Sequence, residues 1–156
     1  MSKLLSEIKQ TKPFESLNEE LWLNVSRTSA FLSHLVEQKL RPYGLSPTQY
    51  NVLRILRGAG SEGLVQHEVG ARLVAQVPDV PRILSRMEKA GWIQRVRGTA
   101  DRRVVRTTLT DKGLELVNGV DPMMRAMELS LFGGMSEEQM RQLCDLLVAA
   151  RSSMEE

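Results

Sequence analysis

Four side chains in the middle of the chain, Arg82, Ser85, Arg86 and Lys89, recur at i, i+3, i+4 and i+7. That spacing puts them on one face of a helix. Guanidinium and ammonium groups in such a row are donors for a polyanion: they suit phosphate oxygens and the acceptor edges of guanine. Val80, Ile83, Leu84 and Met87 have the same spacing on the opposite side, so one segment carries an apolar and a cationic face. A second basic cluster follows at Asp101-Arg102-Arg103. Asp101 is poor for raw affinity to an anion, but a carboxylate beside a guanidinium braces its orientation.

The charge distribution agrees. The 156 residues carry a formal net charge of +2, yet from Arg72 to Lys112 ten Lys and Arg stand against four Asp and Glu, an excess of +6. A basic middle in an acidic frame suits a nucleic acid; the alternative is a solvated charged face. Enzyme chemistry has no visible basis, because no carboxylate pair, nucleophile–base set or Gly-rich phosphate loop is identifiable. One cysteine, Cys144, and two histidines, His34 and His67, speak against a disulfide, a zinc site or another metal centre, and no cofactor is expected. Cys144 shares helical spacing with Met140, Leu143 and Leu147, which points to packing. The group Met123, Met124, Met127, Met135 and Met140 points the same way. No apolar run approaches the roughly 18 residues of a membrane span. Lys3, Leu4, Leu5 and Ile8, interrupted by Glu7 and Lys9, lack the apolar core of a signal peptide, so a cytoplasmic protein is expected.

The elements that position the basic residues are mostly helices. Residues 1–15 give no clear pattern. Ser16 with Glu19 opens a long helix over about 16–41, with an apolar stripe of Leu21, Val25, Thr28, Leu32 and Leu35. Ser46-Pro47-Thr48-Gln49 is a complete helix start, and Gly58 and Gly60 are placed to end that helix. A short helix covers about Gln66–Leu73. The basic helix runs from about Asp79 to Lys89, with Pro78 and Pro81 at its entry and Gly91 at its exit. Trp92–Arg97 and Val104–Leu109 alternate as antiparallel strands around Gly98–Arg103. Thr110 caps a helix to about Met127, and Ser136 with Gln139 opens the last one. The expected fold is mostly α with a small two- or three-stranded β-wing: a winged helix-turn-helix over 45–112, with 1–44 and 113–156 forming a helical dimerisation region.

Residues Leu45-Ser46-Pro47-Thr48-Gln49-Tyr50-Asn51-Val52-Leu53, Met87-Glu88-Lys89-Ala90-Gly91-Trp92-Ile93, Asp101-Arg102-Arg103 and Leu109-Thr110-Asp111-Lys112-Gly113 stand in the order and spacing of one known family. With them the chain resembles the MarR family of bacterial transcription regulators. The resemblance implies a homodimer on a palindromic operator in double-stranded DNA, acting as a ligand-responsive repressor. By position, Arg82 and Arg86 would meet the major groove and its phosphates, Arg103 would enter the minor groove, and Asp101 would support it. Gln76, Pro78, Asp79, Ser85, Arg97 and Arg102 complete the expected DNA-facing set. A small lipophilic or aromatic effector is implied as well; Phe31, His34 and Tyr50 are placed to line its pocket, or else simply pack. Some relatives sense oxidants through a cysteine near the N-terminus, which this chain lacks. Two departures stand out: Val65 replaces the Ser or Thr that often precedes the third helix, and Pro78 and Pro81 stand where Ser and Thr are common. The competing reading is a winged-helix protein-interaction module without an operator, its basic face meeting an acidic partner.

Overall fold

The computed structural model describes residues 2–97 and 104–154. Two compact units are distinguished, Met1–Val117 and Asn118–Glu156. The first begins with a five-residue helix, α1 (Lys3–Glu7), in the stretch where the sequence has no clear pattern. Leu4 is buried, and Glu7 pairs with Arg27 at 3.1 Å. The long helix α2 is Leu17–Leu40. Ser16 Oγ accepts from the Glu19 amide at 3.1 Å, but the Glu19 carboxylate turns to the Glu15 amide at 2.7 Å, so the expected box is closed on one side only.

After a 3-10 turn at Arg41–Tyr43, α3 spans Pro47–Ala59. Its start has the full reciprocal box: the Gln49 amide donates to Ser46 Oγ at 3.2 Å and the Ser46 amide to Gln49 Oε1 at 2.9 Å. The helix runs through Gly58, which tolerates the helical conformation, and stops at Gly60, whose φ is +62°. Tyr50, Val52, Leu53 and Leu56 are its buried residues. A second 3-10 turn, Gly60–Glu62, leads to β1 (Leu64–Val65) and α4 (Gln66–Ala71). Val65 has no side-chain oxygen to cap α4. Its own amide is instead satisfied by the Glu68 carboxylate at 3.0 Å, half of the usual arrangement.

Helix α5 is Val80–Lys89, and the wing strands are β2 (Ile93–Arg97) and β3 (Val105–Leu109). The strands pair antiparallel with Ile93 opposite Leu109 and Arg97 opposite Val105. β1 joins the free edge of β3, so the sheet has three strands in the order β1-β3-β2. The core of this unit gathers Leu40, Leu45, Val52, Leu53, Leu56, Leu64, Val69, Leu84, Met87 and Ile93. It holds few aromatics, as the composition requires.

Helix α6 (Asp111–Leu131) starts in the first unit and continues into the second, four residues beyond the expected end, with Pro122 inside it. Pro122 removes one backbone bond without ending the helix. Val120, Asp121 and Met124 are buried, and Arg125 lies 3.7 Å from Asp121. Helix α7 (Glu137–Ser152) opens with the expected Ser136–Gln139 box and has no buried residue. Cys144 is exposed on it, where the expectation is a packed thiol; on the same face Met140 is half-buried, and Leu143 and Leu147 are 39% and 36% exposed. Among the described residues, no helix is long and apolar enough to cross a membrane.

Candidate nucleic-acid interface

The rotation of α5 is fixed by what it buries. Leu84 and Met87 have no accessible surface, and Val80 and Ile83 are half-buried. Arg82, Arg86 and Lys89 are therefore turned outward and exposed, with Ser85 half-buried between them. Burial of the apolar side is worth about 1.5–3 kcal/mol per large residue, which far exceeds what any surface contact of the arginines could oppose.

Both ends of α5 are pinned. At the start, the Asp79 carboxylate accepts from the Arg82 amide at 3.1 Å, so Asp79 acts as the N-cap. At the end, Gly91 takes φ +77°, and the amides of Gly91 and Trp92 bond back to Glu88 O at 2.9 Å and Met87 O at 3.0 Å. This pattern closes a helix only where the residue after the cap is left-handed, hence glycine. The Leu109–Gly113 segment then grips the same end. Lys112 Nζ donates to Ala90 O at 2.8 Å, and Thr110 Oγ1 donates to Gly91 O at 2.6 Å while accepting from the Gly113 amide at 3.1 Å. The Thr110 amide bonds to Trp92 O at 3.1 Å. Helix end, wing root and the first turn of α6 are thus one clasp.

The wing is also tied to α5 through side chains. Arg95 Nε on β2 lies 3.0 Å from Glu88 Oε2 on α5. Arg106 on β3 donates to Gly63 O at 3.2 Å. These arginines, with Lys112, belong to the basic segment in the sequence, but the fold spends them on internal contacts. Arg106 and Lys112 are exposed yet bonded to backbone carbonyls, whereas Arg82, Arg86, Lys89 and Arg97, with Arg72 after α4, are the other exposed cations of the segment among the described residues. We expect a double-mutant cycle on Glu88→Ala and Arg95→Ala to give a coupling of about 0.5–1 kcal/mol in urea unfolding, shrinking at high salt. Additive single effects would show that the pair does not fasten the wing.

Gln76 and Pro78 are exposed in the turn before α5, supported by the Val74 amide donating to Asn51 Oδ1 at 2.9 Å. Asp101, Arg102 and Arg103 lie outside the described residues. The three expected pocket residues differ in environment. Tyr50 is 6% exposed, with Arg54 stacked over its ring at 5.8 Å. Phe31 is 66% exposed. His34 is exposed and lies 2.8 Å from Gln38 along the same helix. None of them lines the cleft bordered by Leu56, Gln94, Thr108 and Leu114, or the one bordered by Leu5, Phe14 and Leu17. Among the described residues, no group of three His, Cys, Asp or Glu could hold a metal ion.

Comparison with known proteins matches the MarR family profile to residues 45–105, the span from the α3 start to β3. The uncharacterized HTH-type transcriptional regulator YkoM of Bacillus subtilis is 31% identical over 110 residues, 70% of each chain. The chain belongs to the MarR family. It is a winged-helix transcriptional regulator that binds DNA, and not an enzyme. The MarR transcription factor from Planctomyces limnophilus is 30% identical, with a TM-score of 0.66 over 88% of this chain and 99% of that one. The organohalide-sensing regulator RdhR, in its 2,4-dichlorophenol bound form, shares the fold at a TM-score of 0.79 and 22% identity, over 92% of this chain and 87% of its own. In this MarR-family chain, Lys112, Glu88 and Arg95 are supports of α5 that sequence reasoning missed, and Thr110, expected as the cap of α6, also holds Gly91 O. Their spacing is legible, but their partners are backbone carbonyls and side chains on other elements.

Proposed function

We propose that the chain is a repressor that acts as a homodimer on a palindromic operator and is released by a small lipophilic or aromatic effector. The observation that carries the reading is the outward face of α5, where Arg82 and Arg86 stand exposed on a helix clasped at both ends beside the wing. The major groove admits one such helix, and arginines there reach guanine O6 and N7 or flanking phosphates.

Dimerisation is supported by apolar surface that one chain leaves exposed. Helix α2 buries Leu40 but exposes Leu17, Leu21, Trp22 and Phe31. Helix α7 exposes Leu143, Leu146 and Val148. Exposed apolar patches of this kind mark association surfaces. In this reading residues 1–44 and 113–156 pair between chains, and 45–112 of each chain addresses one half-site. Two-fold symmetry then places the half-sites about 34–36 Å apart. An operator occupied in this way blocks transcription from a promoter that overlaps it, and the protein works in the cytoplasm, where that DNA lies.

The effector follows from likeness to RdhR, which binds 2,4-dichlorophenol. Phe31, His34 and Tyr50 are the residues proposed to meet such a ligand, and a coupling of about 1–3 kcal/mol between ligand and operator suffices. Mobility-shift titration with the duplex flanking the protein's own gene tests the proposal. Two chains per duplex by light scattering, affinity falling steeply with salt, and release by 2,4-dichlorophenol are the expected results. Binding to an acidic polypeptide but to no duplex would contradict it.

A further inference from the structure

The leading end of α5 is defined by what it lacks. The first amides of a helix ordinarily point outward without partners and hold phosphate or base acceptors. Here Pro78 and Pro81 have no amide hydrogen to give. The Arg82 amide is occupied by the Asp79 carboxylate at 3.1 Å, and the Ile83 amide by Asp79 O at 3.3 Å. With the Pro81 amide missing, the Arg82 and Ile83 amides occupied and a carboxylate exposed at Asp79, this end is a weaker anion site than an ordinary helix start. What this end offers outward is hydrocarbon: Pro78 and Pro81 are both exposed. Pro81 immediately precedes Arg82 and stands four residues before Ser85, exposed at the flank of the stripe that buries Leu84 and Met87.

Resting on the DNA-binding reading above, we propose that Pro81, with Pro78 beside it, is a specificity residue that reads the C5-methyl group of thymine in the major groove. Among the four bases thymine alone presents a methyl there. A pyrrolidine ring meets it as a rigid apolar face and has almost no side-chain entropy to lose. Arg82 and Arg86 supply the donors further along the helix. Each half-site is then read in two chemistries: methyl contact at the leading turn, and hydrogen bonding to guanine or phosphate behind it.

The test begins with duplexes enriched by the wild-type protein from a random library. In the enriched site, thymidine is replaced by deoxyuridine one position at a time, which deletes the methyl and nothing else. We expect affinity to fall about 4-fold at one or two positions in each half-site, the value of one buried methyl. The same replacement should have no effect on Pro81→Ser and a reduced one on Pro81→Ala, whose methyl keeps part of the apolar contact. Both residues are accepted in a first helical turn, and thermal midpoints establish that each variant is folded. If no deoxyuridine position matters, or if the effect is equally large in both variants, Pro81 merely starts the helix and the proposal is overturned. Failure of any duplex to enrich is a different result: it overturns the DNA-binding reading itself.

Discussion

Replacing Arg82 and Arg86 together by alanine is expected to weaken operator binding by at least about 100-fold while leaving the protein folded and its assembly unchanged. Each arginine contact to a guanine edge is worth about 1–3 kcal/mol, and the two point from one face of α5. Neither side chain supports the fold. Arg82 contributes its backbone amide to the Asp79 cap, and alanine keeps that amide. Thermal unfolding and light scattering should therefore match the wild type. The dependence of affinity on salt should flatten, by about one unit of slope for each phosphate that an arginine no longer neutralises. Lys39→Ala, an exposed cation on α2, is the matched control and should change little. Unchanged affinity in the double variant would remove α5 from the interface.

The largest stability effect is expected at Gly113. A Cβ built there would fall on the carbonyl oxygen of Trp92, closer than real atoms approach, and the obstacle is backbone rather than a flexible side chain. Gly113→Ala must push the first turn of α6 away from the wing root. That opens the Thr110 and Lys112 bonds holding the end of α5. We expect a loss of about 3 kcal/mol, a drop of roughly 6–12 °C in Tm for a chain of this size. Gly119→Ala on the same helix is the contrast. A Cβ there meets nothing within 4 Å, so the change should stabilise by up to about 1 kcal/mol through the lower entropy of the unfolded chain. Equal stability of the two variants would mean that the clasp does not hold the helix end.

How much of this was readable in the residues depends on the range of the interaction. Ser46 with Gln49 and Ser136 with Gln139 define helix starts within four residues, and both boxes form as the spacing predicts. The two faces of α5 follow from periodicity, and burial of Leu84 and Met87 sets them as expected. Contacts between distant segments were not readable. Arg95, Arg106 and Lys112 look like three more cations for a polyanion, and only the fold shows that each has an internal partner. Glu68 rescues the missing cap at Val65 by reaching the backbone, which the residue type at 65 could not announce. The face with Cys144 reads as packed because its spacing is apolar, yet periodicity cannot tell packing within a chain from packing between chains.

The central claim is that the outward face of α5 lies in the major groove. Dimethyl sulfate, which methylates guanine N7 in that groove, tests it most directly. With saturating protein on an enriched duplex, guanines should be protected in two clusters about one helical turn apart, and the Arg82→Ala, Arg86→Ala variant should lose that protection. Full methylation of every guanine while the wild-type protein remains bound would contradict the account.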